Sequence, residues 1–114
     1  MSPEALLAAA YEAFNARDID RAVRLMSPDV VWPNGWEGGN VHGHEGVRDY
    51  WSRQWKAIDP RVEPLRIERR ADGRYAVEVR QIVKELSGAV VADRVVRHIY
   101  ELSNGLIVSM EIEE

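Results

Sequence analysis

Residues 90–112 read VVADRVVRHIYELSNGLIVSMEI, two runs of alternating side chains joined through Ser103-Asn104-Gly105. Alternation with a period of two marks strands with one buried face, and Asn-Gly between two such runs marks a hairpin. The register of that hairpin decides which side chains share a face. A two-residue turn at Asn104-Gly105 would set Leu102 opposite Ile107 and group His98 with Ser109 and Glu111. A three-residue loop, with Gly105 left-handed as a bulge, sets Leu102 opposite Leu106 and His98 across from Met110. This second register collects His98, Tyr100, Leu102, Leu106, Val108, Met110 and Ile112 on one face, and for that hydrophobic agreement it is the expected one.

Period two reaches back from this hairpin to Val62. Leu65 and Ile67 alternate with charges, and Ala71-Asp72-Gly73 makes a turn. Tyr75, Val77, Val79, Gln81 and Val83 then alternate with Ala76, Glu78, Arg80, Ile82 and Lys84. A two-residue turn at Ser87-Gly88 puts Val77, Val79, Gln81 and Val83 on the face of His98. The opposite face is not wholly polar, since Ile82, Val91, Val95, Ile99 and Ile107 fall there. Helices can cover only one face, so a homodimer through the outer sheet face is expected.

The first half of the chain has helical periodicity instead. Ser2-Pro3-Glu4 supplies a capping hydroxyl, an N1 proline and a first-turn acid, and Leu6, Leu7, Ala10, Tyr11 and Phe14 form one apolar stripe through Asn15. Asp18 can cap a second, short helix whose Ala22, Val23, Leu25 and Met26 face inward until Ser27-Pro28 stops it. A short strand over residues 29–33 then runs into a glycine-bearing loop. The third helix is expected after Gly43, with His44 at its cap and Asp59-Pro60 at its end. Its inner stripe is Val47, Tyr50, Trp51, Gln54, Trp55 and Ile58. All four tryptophans lie between residues 30 and 58, interleaved with Asn34, His42, His44 and Tyr50. Apolar bulk mixed with hydrogen-bonding groups suits a pocket wall as well as a core.

Composition sets the limits. At 114 residues with 46% hydrophobic and 30% charged side chains, the chain is one domain, 1–114, able to bury a core without metal or disulfide staples. Cysteine is absent, so thiol nucleophiles and zinc-cysteine sites are excluded, and a cytoplasmic location is the expectation. The net charge of -4 is spread over interspersed acids and bases with no basic run, which argues against nucleic acid as a partner. No apolar run approaches the ~20 residues a membrane span needs. His42 and His44 without a third ligand fall short of a metal site.

Two positions on the expected inner face are polar, His98 and Gln81. A buried imidazole must find partners or cost on the order of 1–3 kcal/mol. His98 is therefore either a core histidine bonded to Tyr100, Asn34 or a backbone carbonyl, or a pocket histidine suited to proton transfer.

Residues 11–20 (YEAFNARDID), 27–32 (SPDVVW), 42–51 (HGHEGVRDYW) and 98–110 (HIYELSNGLIVSM) together resemble the nuclear transport factor 2-like superfamily. The nearest branch is that of ketosteroid isomerases and SnoaL-like polyketide cyclases. The resemblance implies an α+β fold, a cone-shaped roll in which three N-terminal helices pack on a curved antiparallel sheet of three to four long strands. It also implies homodimers and an apolar pocket between helices and sheet. The ketosteroid isomerase set of an aspartate base, a tyrosine donor and a protonated aspartate is missing here. By the resemblance its aspartate base falls on Trp32, its oxyanion aspartate on His98, and its tyrosine on Ala10, one place before Tyr11. The cyclase acid would fall near Met110 to Ile112, where no aspartate stands. Epoxide hydrolases of this fold use an Asp-Arg-Asp set, but Asp93 and Arg94 are adjacent on a strand and point to opposite faces.

The resulting expectation is an enzyme of isomerase or cyclase type acting without a cofactor on a small, apolar, carbonyl-bearing molecule. His98 is its acid or base. Tyr100, Gln81 and Asn34 orient the polar handle, and Phe14, Trp32, Trp51, Trp55 and Met110 form the apolar wall, with the pocket opening beside the loop from Trp32 to His42. The alternatives are a ligand-binding module without chemistry and a dimeric interaction domain.

Overall fold

The computed structural model describes residues 1–113. The chain runs α1 (Pro3–Asn15), α2 (Ile19–Arg24), β1 (Met26–Pro33), β2 (Asn40–His42), α3 (Gly43–Ala57), β3 (Ile58–Arg69), β4 (Tyr75–Glu85), β5 (Val90–Ser103) and β6 (Leu106–Glu113). These strands form one sheet in the order β2-β1-β6-β5-β4-β3. The sheet is mixed where an antiparallel one was expected: β3 to β6 form an antiparallel meander, but β6 returns to lie parallel to β1.

α1 begins as its sequence dictates, with Ser2 Oγ accepting from the Ala5 amide at 3.1 Å and Pro3 in the first turn. Its stripe of Leu6, Leu7, Ala10 and Tyr11 is buried in the core. The far end is held by Asn15, whose Nδ2 donates to the Val62 carbonyl at 2.7 Å while Oδ1 accepts from the Val62 amide at 3.0 Å. β3 is a sheet edge, and this side chain pairs with it as a neighbouring strand would.

Asp18 caps α2 through the Arg21 amide. The helix stops at Arg24, so Met26 opens β1 and Ser27-Pro28 lies inside a strand instead of ending a helix. The sheet takes the chain over at Leu25, whose carbonyl accepts from the Ile107 amide at 2.9 Å. Pro28 is tolerated because it falls in the irregular stretch between the Met26 and Val31 pairings with β6. Residues 40–42, expected as loop, pair with β1 as β2. α3 then starts at Gly43, and His44 is no cap: its Nε2 lies 3.0 Å from the Met26 carbonyl and ties α3 to β1. At the other end Asp59-Pro60 belongs to edge strand β3, since α3 already ends at Ala57.

The β5-β6 register corrects the expected one. Asn104 (φ 54°) and Gly105 (φ 76°) are both left-handed, which makes the two-residue turn typical of Asn-Gly, and Leu102 pairs with Ile107. The pairing then shifts between Glu101 and Leu102. Glu101 faces Ser109, so Val108 is the extra residue of a bulge, and the faces beyond it are restored. Tyr100 thus opposes Met110 and His98 opposes Ile112, in place of the expected pairing of His98 with Met110. The β4-β5 hairpin behaves similarly: Lys84 pairs with Val90 and Val83 with Ala92, so Val77 still faces His98.

Of the five apolar residues expected on the outer face, Ile82 is half-buried and two more are fully buried. Ile107 is turned into the core and fully buried. Ile99 is also buried, in a row with Glu68, Ala76 and Glu111 on the face that carries the Arg70–Glu113, Arg74–Glu111 and Arg97–Glu113 pairs. Val91 and Val95 remain exposed.

Candidate functional site

Between α1, α3 and the concave sheet face lies a narrow chamber of about 70 Å³. α1 contributes Tyr11 and Phe14, β1 Trp32, α3 Trp51, β5 His98 and Tyr100, and β6 Met110. The bulged register is what brings Met110 and Ile112 to this face beside His98 and Tyr100. Aromatic rings meet edge to face around the chamber: Phe14 and Trp51 at 5.0 Å, Trp32 and Trp51 at 5.6 Å, Trp32 and Tyr100 at 6.2 Å.

The polar centre is a chain of three side chains. Tyr100 donates its hydroxyl hydrogen to the Tyr11 oxygen at 2.8 Å, and the Tyr11 hydroxyl lies 2.8 Å from His98 Nδ1. With Tyr100 donating, the Tyr11 hydrogen serves Nδ1, which leaves the remaining ring hydrogen on Nε2. Burial lowers the His98 pKa to about 4, so the imidazole is neutral at physiological pH. Burial likewise raises both tyrosines: Tyr11 well above the usual phenol range, helped by the neighbouring Tyr100, and Tyr100 in the same direction. The chain can therefore offer a hydrogen bond to a carbonyl oxygen from a neutral imidazole. It has no imidazolium to act as a strong acid.

The chamber adjoins a wider vestibule of about 540 Å³, and the two share Pro33, Tyr50, Gln54, Gln81 and Ile112. The vestibule is rimmed by Asn34, Gly35 and Trp36, so the space opens beside the loop after Trp32. Trp36 stands at the rim, 46% exposed, whereas Trp32 is a buried wall residue. Gln81 is at the junction, with a buried Oε1 that makes no hydrogen bond within the described residues.

Of the residues expected at the site, His98, Tyr100, Gln81, Phe14, Trp32, Trp51 and Met110 line the chamber. Two do not. Asn34 organises the loop instead, its Oδ1 accepting from the Trp36 and Glu37 amides and its Nδ2 donating to Glu37. Trp55 sits behind the wall, packed on Phe14 and Trp51 with the Arg17 guanidinium 5.0 Å from its ring. The partner of His98 is Tyr11, which is none of the three expected for a core histidine. The lone hydroxyl in an Ala-Leu stripe was the available signal, because a buried tyrosine usually needs a partner. Tyr50, Gln54 and Ile112 also belong to the lining. Asp93 pairs outward with Arg80 at 2.7 Å, and Arg94 faces the vestibule, as strand alternation requires. Among the described residues no group of three His, Cys, Asp or Glu could hold a metal, and no helix is long and apolar enough to cross a membrane.

A family model described as the SnoaL-like domain matches residues 7–110. Among solved structures, TerC co-crystallised with polyporic acid is 27% identical, with a TM-score of 0.81 over 94% of this chain and 86% of that one. An NTF2-like protein of unknown function from Burkholderia pseudomallei is 26% identical, with a TM-score of 0.84 over 99% and 91%. A Mycobacterium tuberculosis protein in complex with estradiol-17β-hemisuccinate is 18% identical, with a TM-score of 0.80 over 94% and 88%. No curated protein matches.

Proposed function

The chain belongs to the SnoaL-like domain family, and from that premise we propose that it binds a small, apolar, carbonyl-bearing molecule and converts it by isomerase- or cyclase-type chemistry without a cofactor. The observation that carries this reading is the hydrogen-bonded series Tyr100, Tyr11, His98 at the wall of an otherwise apolar chamber. A neutral imidazole fixed by Tyr11 at Nδ1 would direct Nε2–H to a carbonyl oxygen and stabilise the enolate formed when solvent water, admitted through the vestibule, takes an α-proton and then returns one to another carbon. Gln81 would hold a donor group of the ligand, and Trp32, Trp51 and Phe14 its apolar body. Ligands named for structures of this fold, polyporic acid and a steroid ester, are aromatic or polycyclic and carry oxygens.

A second reading is a binding module without chemistry. It is favoured by the absence of any carboxylate among the described chamber residues to serve as base, and by a chamber far below the 300 Å³ or so usual for ligand sites. We further propose a homodimer through the outer sheet face, supported by exposed Val91 and Val95 beside the alternating charge row of Arg66, Glu78, Arg97 and Glu113.

The test is a thermal-shift screen of small enones, lactones and polyketide fragments, followed by turnover of each binder. His98→Ala and His98→Gln should both abolish conversion while affinity stays within about tenfold. Conversion by both variants at the wild-type rate refutes the catalytic reading, and binding without conversion by the wild type establishes the module. A monomeric mass by sedimentation at micromolar concentration refutes the dimer.

A further inference from the structure

Hydrogen-bonding capacity is spread unevenly along the two connected spaces. At the chamber end it is almost used up: Tyr100 donates to Tyr11 and Tyr11 to His98 Nδ1, so one donor, Nε2–H, is left for a ligand. At the junction with the vestibule stand Tyr50, Gln54 and Gln81, each shared by both spaces. Gln54 Nε2 reaches the Tyr50 hydroxyl at 3.4 Å, whereas Gln81 Oε1 has no partner. Three described side-chain atoms are buried and unpaired, Ser27 Oγ, Trp55 Nε1 and Gln81 Oε1, and of these residues only Gln81 lines the site. An orphaned buried carbonyl weakens a fold unless something outside the fold pairs with it. The strand itself has no need of an amide here, since Gln81 shares its face of β4 with Val77, Val79 and Val83.

We infer that Gln81 selects the ligand at this junction, its carbonyl accepting from a neutral hydroxyl group of the ligand while the ligand's own carbonyl oxygen takes Nε2–H of His98. This deepens the reading of the pocket given above and rests on it. The ligand class is then a hydroxylated enone or ketone. An ether or alkyl counterpart of the same shape is rejected because it leaves Oε1 unpaired. The last torsion of a glutamine is soft and two-fold, so the carboxamide turns toward the space without moving the strand. Val77 pairs with His98, and Gln81 lies four residues farther along β4, about 13 Å at ~3.3 Å per residue. Both side chains line one chamber of about 70 Å³, so a ligand no longer than an aromatic ring with a short unsaturated arm bridges them.

The experiment titrates para-hydroxybenzylideneacetone, its para-methoxy counterpart and unsubstituted benzylideneacetone into the protein by calorimetry at about pH 6, where a phenol is neutral. The wild type should bind the hydroxyl compound more tightly than either of the others, by about tenfold or more. Gln81→Met keeps the length of the side chain and removes its polar atoms. It should abolish that preference while leaving the other two affinities within about twofold. The same variant should melt at or above the wild-type temperature, because the orphaned carbonyl is gone, and this separates an amide that selects a ligand from one that holds the fold. Equal binding of the three compounds by the wild type, a preference that survives Gln81→Met, or a fall in the melting temperature of that variant overturns the inference and leaves the apolar pocket standing. Binding of none of the three overturns the pocket reading as well.

Discussion

Tyr11 and His98, 87 residues apart in the chain, meet at 2.8 Å between hydroxyl oxygen and Nδ1, and both are buried. This bond joins the first helix to the longest strand and fixes which imidazole nitrogen faces the chamber. Its energetic consequences are measurable without knowing the ligand.

The first concerns pH. The His98 pKa falls from 6.5 to about 4 on burial, so between these values the unfolded chain binds the proton that the folded chain excludes. Stability from this group is complete above about pH 6.5 and is lost as pH falls toward 4, by roughly 3 kcal/mol. Urea unfolding of the wild type across that window should show a steeper loss than His98→Gln. Parallel pH profiles would show that the imidazole is not excluded from protonation.

The second concerns the order of the chain. Tyr11→Phe leaves both Nδ1 and the Tyr100 hydroxyl without a partner and should cost about 2–3 kcal/mol, whereas Tyr100→Phe removes only one donor and should cost about 1. The double variant should cost less than the sum, because both single changes disturb the same bond. A larger loss for Tyr100→Phe would reverse the proposed direction of the series.

Asn15 provides a third case. Asn15→Ala removes two hydrogen bonds to Val62 and exposes the edge of β3, with an expected loss of about 2 kcal/mol. Hydrogen exchange should report it locally: the Val62 amide should lose protection more than the amides of β5. Uniform loss across the sheet would mean that Asn15 supports the fold in some other way.

At the β5-β6 turn, Gly105→Ala should lower stability by about 1 kcal/mol because φ at this position is positive, and Asn104→Gly should be close to neutral for the same reason. Thermal melts of the two variants decide the point.

Much of this arrangement is legible in the residues themselves. Ser2-Pro3-Glu4 and Asp18 specify helix starts through side chains acting three residues away, and the alternation of residues 90–102 fixes which side chains of β5 look inward. What escapes is whatever depends on distant backbone. Asn15 reads as an ordinary polar end to a helix, and only the fold brings Val62, 47 residues on, to its amide. Asn34 and Trp55 have the chemistry of pocket residues, yet a local loop takes the first and Arg17 and Phe14 cover the second. In the hairpin the turn rule and the hydrophobic pattern disagree by one residue. Choosing either alone gives a wrong pairing, because the chain satisfies both by inserting Val108.

That insertion amounts to a reading frame for the site. With Val108 set aside, Met110 and Ile112 look inward and Glu111 looks out. Were the same turn followed by regular pairing, each of these would change sides, and Glu111 would stand across from His98. A carboxylate would then occupy the wall of a chamber that now has none, with the composition of the chain unchanged. Whether a carboxylate stands in the chamber wall beside His98 is therefore encoded here as a slip of one residue. Such a change requires no substitution in the aromatic wall.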